Sequence, residues 1–111
     1  MVSYPEVKLT SVLSEQVVLA AVLKPGKRPR PLPDLHMRCF TQTAHRWIWR
    51  SMVVLRMMGA PVTPAAVASW LKYEGRMDNP EVAPALQAVV RLVGVRTGLS
   101  YRRALAEVSS H

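Results

Sequence analysis

The sequence predicts a small all-α protein, a bundle of four to five helices. Three observations carry that expectation. Apolar residues recur at helical spacing in several stretches, glycine and proline fall between those stretches, and no segment shows convincing strand alternation. Only the valine-rich piece Val89–Val95 is ambiguous, because β-branched runs also suit strands. Its helical spacing places it with the helices.

The elements follow in order. Residues 1–10 read as an N-terminal arm. Ser11 offers a hydroxyl that can cap a first helix from Val12 to Lys24, and Pro25-Gly26 stops it. Lys24–Pro33 then reads KPGKRPRPLP, four prolines and four basic residues in ten positions. Proline lacks the donor that helix and sheet require, so residues 24–38 are expected to form an extended basic linker.

The second helix is expected from Gln42 to Met58, ended by Gly59. At 100° per residue Ala44, Trp47, Ile48, Ser51, Val54, Leu55 and Met58 share one face, the expected core stripe. Trp49, Val53 and Met57 fall at i, i+4 and i+8 on the other side, among His45, Arg46, Arg50 and Arg56. A third helix opens on Thr63 as cap with Pro64 at its first position, and Gly75 follows its end. Val67, Trp70 and Leu71 form its apolar face. A fourth starts near Asn79-Pro80 or after Pro84, carries Leu86, Val89, Val90 and Val93, and frays by Gly98. Ser100 caps a short last helix, Tyr101–Val108. One hundred and eleven residues fit a single helical domain of limited core.

Charge is the strongest compositional signal. Fifteen Lys and Arg against seven Asp and Glu give +8. That balance attracts nucleic acid or an acidic protein surface. A single cysteine, Cys39, excludes an internal disulfide. The start has no basic region followed by an apolar run, and the longest apolar run, Val17–Leu23, is too short for a membrane span. A soluble cytoplasmic protein with no membrane partner is expected.

Catalytic and metal chemistry are poorly provided for. A closed zinc site needs four ligands; His36, Cys39 and His45 supply three, and only the distant His111 is left as a further His. Cys39 and His45 have no orienting acid or oxyanion site nearby in sequence, so Cys39 is expected as a small core hydrophobe and His45 as a partly exposed helix residue. The seven acids form no catalytic pair. No enzyme activity, cofactor or metal is expected.

Several stretches resemble a known family. Glu15–Leu23 is similar to the EQ-x-V-L-G-A-L-L first helix of the N-terminal domain of DnaB-type bacterial replicative helicases, with Ser11 where that family often caps. Phe40 falls near its D-F. His45–Trp49 looks like H-R-x-I-F, Gly59–Thr63 like G-x-P-V-D, Val67–Leu71 like V-A-E-W-L, and Gly75–Asp78 like G-x-L-D. The resemblance covers residues 11–78, and from His45 to Asp78 the order and spacing hold without a gap. The proline-rich linker replaces a short family helix, and Asn79-Pro80 stands where the family has a glycine pair. Ser100–His111 is a short counterpart of the hairpin that pairs those domains. A phosphate-binding loop needs G-x-x-x-x-G-K-[ST], and Gly26-Lys27 lacks both the upstream glycine and the following hydroxyl.

The resemblance implies an orthogonal helical bundle of bacterial or phage origin. It also implies a non-catalytic protein–protein interaction module that binds replication proteins: a helicase, a primase or a loader. A homo-oligomer is left open. Arg46, Trp49, Arg50, Val53, Arg56 and Met57 are the expected partner-binding residues, because Trp and Arg are enriched at interface hot spots. The alternative is a small nucleic-acid-binding accessory protein, contacting DNA phosphates non-specifically through Lys27, Arg28, Arg30 and Arg38. A helix-turn-helix reader is disfavoured, since Pro64–Glu74 offers mainly Ala, Val, Trp and Leu where base readers should stand. A third reading is a domain of a larger helicase with no independent role.

Overall fold

The computed structural model describes residues 4–25 and 31–110, with side chains from residue 12 onward. Five helices form the fold: α1 (Tyr4–Leu23), α2 (Thr43–Met57), α3 (Pro64–Tyr73), α4 (Val82–Arg91) and α5 (Tyr101–Ser109). Short 3₁₀ turns stand at Met37–Cys39 and Arg76–Asp78. No strand occurs among the described residues.

The first helix is longer than the sequence suggested. It begins at Tyr4, so most of the expected arm is helical and Ser11 lies inside the helix rather than at its cap. Pro5 does not prevent this, because a proline in the first turn forfeits only an N–H that has no intrahelical partner. α1 ends at Leu23, two residues before Pro25. It packs most extensively on α5 and also meets α4 and α2.

Three helix boundaries follow the punctuation closely. Gly59 adopts φ 72° after α2. Its N–H donates to the Arg56 carbonyl at 3.0 Å, and the Ala60 N–H reaches the Leu55 carbonyl at 2.9 Å. This pair of reversed bonds closes the helix around a left-handed glycine. The Thr63 hydroxyl caps α3 by accepting from the Ala66 N–H at 3.1 Å, with Pro64 in the first turn. The Ser100 hydroxyl caps α5 through the Arg103 N–H at 3.2 Å. α4 stops at Arg91, earlier than expected, and the chain turns through Gly94 at φ 75°.

One core joins all five helices. It is built from Val18, Leu19 and Val22 of α1, Ile48, Met52 and Leu55 of α2, Val67 and Leu71 of α3, Val82 and Val89 of α4, and Ala104 and Val108 of α5. Across the α1–α5 contact the Ser14 hydroxyl donates to the Glu107 carboxylate. The segment before α2 is more than a linker: Leu32, Leu35, Met37 and Cys39 pack against the core, and Phe40 is fully buried. Residues 26–30 lie outside the described residues. Among those described, no helix is long and apolar enough to cross a membrane.

α2 departs from its expected single stripe. Ala44, Ile48, Ser51 and Leu55 are buried as expected, but so are His45, Trp49 and Met52. Trp47 and Val54 are only half-buried, and Met58 is exposed. The helix is central and buries two sides, because α1, α3 and α4 all pack on it.

Candidate protein-interaction surface

The residues expected to bind a partner differ widely in exposure. Trp49 is 2% exposed and belongs to the core. Its indole Nε1 donates to the Leu35 carbonyl at 3.1 Å, and its ring meets Phe40 at a centroid distance of 5.5 Å. It therefore clamps the chain ahead of α2 and offers nothing to a partner, which corrects the sequence expectation. Arg46 is half-buried, its Nε donating to the Phe40 carbonyl at 2.7 Å, so it serves the same clamp. Val53 is half-buried against the core. Arg56 lines a cleft between α1, the α2–α3 turn and α4. Met57 is 82% exposed.

Arg50 is exposed and lies in a cluster that the sequence reading did not assemble. Its guanidinium is 3.8 Å from the Glu74 carboxylate and 5.8 Å from the centre of the Trp47 ring. The Arg76 guanidinium lies over the same ring at 3.7 Å. Two cations thus share one indole, whose π-face attracts them electrostatically. Tyr73, 81% exposed, stacks at 5.3 Å on Trp70. α3 positions this corner: Gly75 takes φ 75° just past its end and turns Arg76 onto α2. Trp70 Nε1 and Arg76 Nε are buried without an acceptor among the described residues.

The sequence does not reveal this cluster, because helical spacing puts Trp47 on the core stripe. The spacing of Trp47 and Arg50, i and i+3, was the available signal. The joining of Arg76 depends on the turn at Gly75, which a helical wheel does not contain.

Behind the surface lies a buried polar knot. Glu15 of α1 is fully buried. One of its oxygens accepts from the Thr41 N–H at 2.8 Å and the Thr41 hydroxyl at 2.6 Å. The other accepts from the Gln42 N–H at 3.3 Å and faces His45 Nδ1 at 2.8 Å. Burial pushes the Glu15 carboxyl up, but the hydrogen bonds from His45 and Thr41 and the attraction of His45 outweigh it and hold it below its ordinary value. His45, expected to be partly exposed, is 2% exposed.

Of the expected nucleic-acid contacts, Lys27, Arg28 and Arg30 lie outside the described residues. Arg38 is exposed, with its backbone N–H donating to His36 Nδ1 at 3.1 Å. Among the described residues, no three His, Cys, Asp or Glu side chains converge as a metal site would require.

A family model described as the DnaB-like helicase N terminal domain matches residues 7–102. No curated protein and no solved structure matches the chain.

Proposed function

Starting from a chain that belongs to the DnaB-like helicase N-terminal domain family, we propose that it is a non-catalytic interaction module that binds replication proteins: a helicase, a primase or a helicase loader. The observation that carries the docking surface is the cluster of Trp47, Arg50, Tyr73 and Arg76 at the end of α3. Aromatic and arginine side chains supply large contact area and charge-assisted hydrogen bonds at interface centres. The exposed Tyr73 ring gives an apolar anchor with a hydroxyl at its tip. Buried donors without acceptors cost about 1–3 kcal/mol each. Acceptors brought by a partner would relieve Trp70 Nε1 and Arg76 Nε after small side-chain rotations. The net charge of +8 steers encounter with an acidic surface.

Immobilised protein should capture a helicase, primase or loader from its source cell at moderate salt. Recovery of none of the three would overturn this reading.

The alternative, non-specific nucleic-acid binding, is favoured by the same charge and by Arg38, Arg91, Arg96, Arg102 and Arg103, all exposed. DNA titrated at two salt concentrations separates the readings. Phosphate binding weakens steeply with salt, whereas an aromatic anchor does not. No binding at low salt excludes the alternative.

A further inference from the structure

A second surface goes beyond that reading. Between the end of α1, the α2–α3 turn and the last turn of α4 lies an open groove of about 490 Å³. Val22 and Leu23 line it from the core, both nearly fully buried. Pro25, Pro61, Val62, Pro64, Val90 and Val93 complete its apolar lining. The groove shares no residue with the cluster around Trp47. It sits at the start of α3, while that cluster sits at its end, about 15 Å along the helix axis.

Two features make this groove more than an unfilled crease. The first is stiffness. Three of its lining residues are prolines and four are valines. Both side-chain types have few rotamers to lose, so an occupant meets a preformed wall. The second is charge. Among the described residues, the charged ones that line it are Lys24 and Arg56, both cationic, and no described acid does. Val90 is 36% exposed, and Met57 and Met58, next to Arg56 in the chain, are exposed too. Methionine adapts to varied apolar partners.

We infer that this groove takes a short acidic amphipathic helix from a partner protein, its apolar face laid on the valines and prolines and its carboxylates on Lys24 and Arg56. A helix pressed into such a groove is read through apolar anchors at i, i+3, i+4 and i+7. Acidic side chains flanking that stripe match the groove's charge, and basic ones oppose it. A second copy of this chain, at +8, brings the wrong average charge.

The test uses a labelled synthetic helical peptide of about 14 residues with Leu at those anchors and Glu elsewhere, and a twin with Lys in place of Glu. Fluorescence anisotropy should show the acidic peptide binding and its twin failing. Val90→Glu should weaken binding about tenfold or more. Lys24→Glu, a change at an exposed residue, should weaken it several-fold and flatten its salt dependence. Amide shifts on titration should fall at residues 22–24, 62–63 and 90–93, the prolines between them having no N–H. Equal binding of the twin, no binding of the acidic peptide, full affinity in both variants, or shifts gathered at Trp47 and Tyr73 would each overturn the inference. So would a peptide-free dimer that Val90→Glu dissolves, since the occupant would then be a second copy. Capture of a replication protein unaffected by Val90→Glu retires the groove as the site of that capture and leaves the proposed function standing.

Discussion

His45 Nδ1 lies 2.8 Å from a carboxylate oxygen of Glu15, with both side chains buried. With the carboxylate ionised, Nδ1 must carry the proton and donate it. The same carboxylate accepts the Thr41 and Gln42 backbone N–H groups just ahead of α2. Gln42, the capping residue of α2, makes no side-chain cap. Glu15 instead satisfies, from another helix, the N–H groups of the capping residue and the residue before it, and its negative charge complements the positive end of the α2 dipole. One residue thus fixes where α2 begins and how it sits on α1.

Removing that carboxylate should be costly. Glu15→Ala leaves His45 buried without its partner and takes the acceptor from the Thr41 and Gln42 N–H groups and the Thr41 hydroxyl, which belong to exposed residues. Loss of about 3–5 kcal/mol is expected, in line with breaking a buried pair. Glu15→Gln should cost less, since its carbonyl still accepts. Urea unfolding of both variants measures the difference, and a cost below about 0.5 kcal/mol for Glu15→Ala would show the knot to be ornamental.

Stability should also fall in acid through this residue. Its folded value is depressed, so ionised Glu15 contributes stability that is fully present above the ordinary carboxylate range of the unfolded chain. That contribution is lost as pH falls through the lower folded value. Unfolding free energy should therefore decline from about pH 5 downward, with a shallower slope in Glu15→Gln. Equal slopes would assign the acid sensitivity to other carboxylates.

The punctuation of this fold was legible in the sequence, and its faces were less so. Thr63-Pro64, Ser100, Gly59 and Gly75 all act where their chemistry placed them, because caps and left-handed glycines depend on neighbours within a few residues. The first helix was cut short because Ser11 looked like a cap, and nothing local marks a serine as interior. α2 was misassigned by about one position because a helical wheel supposes one buried face. Three helices pack on α2, so His45 and Trp49 are fully inside while Trp47 is only half-buried. The Glu15–His45 pair spans 30 residues. Both residues belong to the stretches that resemble the family, yet neither their spacing nor their type announces the contact.

Trp49 should behave as a core residue. Trp49→Ala removes a fully packed indole, its bond to the Leu35 carbonyl and its contact with Phe40. A loss of about 3–5 kcal/mol is expected, near the whole stability of a small domain. Trp49→Phe keeps part of the volume and should cost about 1–3 kcal/mol, because the Leu35 carbonyl loses its donor. Thermal unfolding followed by circular dichroism distinguishes them. A Trp49→Ala protein as stable as the parent would return this residue to the surface.

The surface cluster should give the opposite pattern. Arg50 and Tyr73 are exposed, and the 3.8 Å approach of Arg50 to Glu74 is a surface pair worth about 0–1 kcal/mol. The double change Arg50→Ala, Tyr73→Ala should therefore leave the unfolding midpoint within a few degrees of the parent. If Trp47, Arg50, Tyr73 and Arg76 form the docking surface, the same change should weaken capture of the replication partner by about 2 kcal/mol or more, some thirtyfold in affinity. The single variant Arg76→Ala isolates the cation over Trp47: it should blue- or red-shift the Trp47 emission relative to a Trp47→Phe reference while changing stability by about 1 kcal/mol or less, as loss of the indole contact is offset by removal of a buried unpaired donor. Undiminished capture by the double variant, with the fold intact, would move the partner surface away from the end of α3.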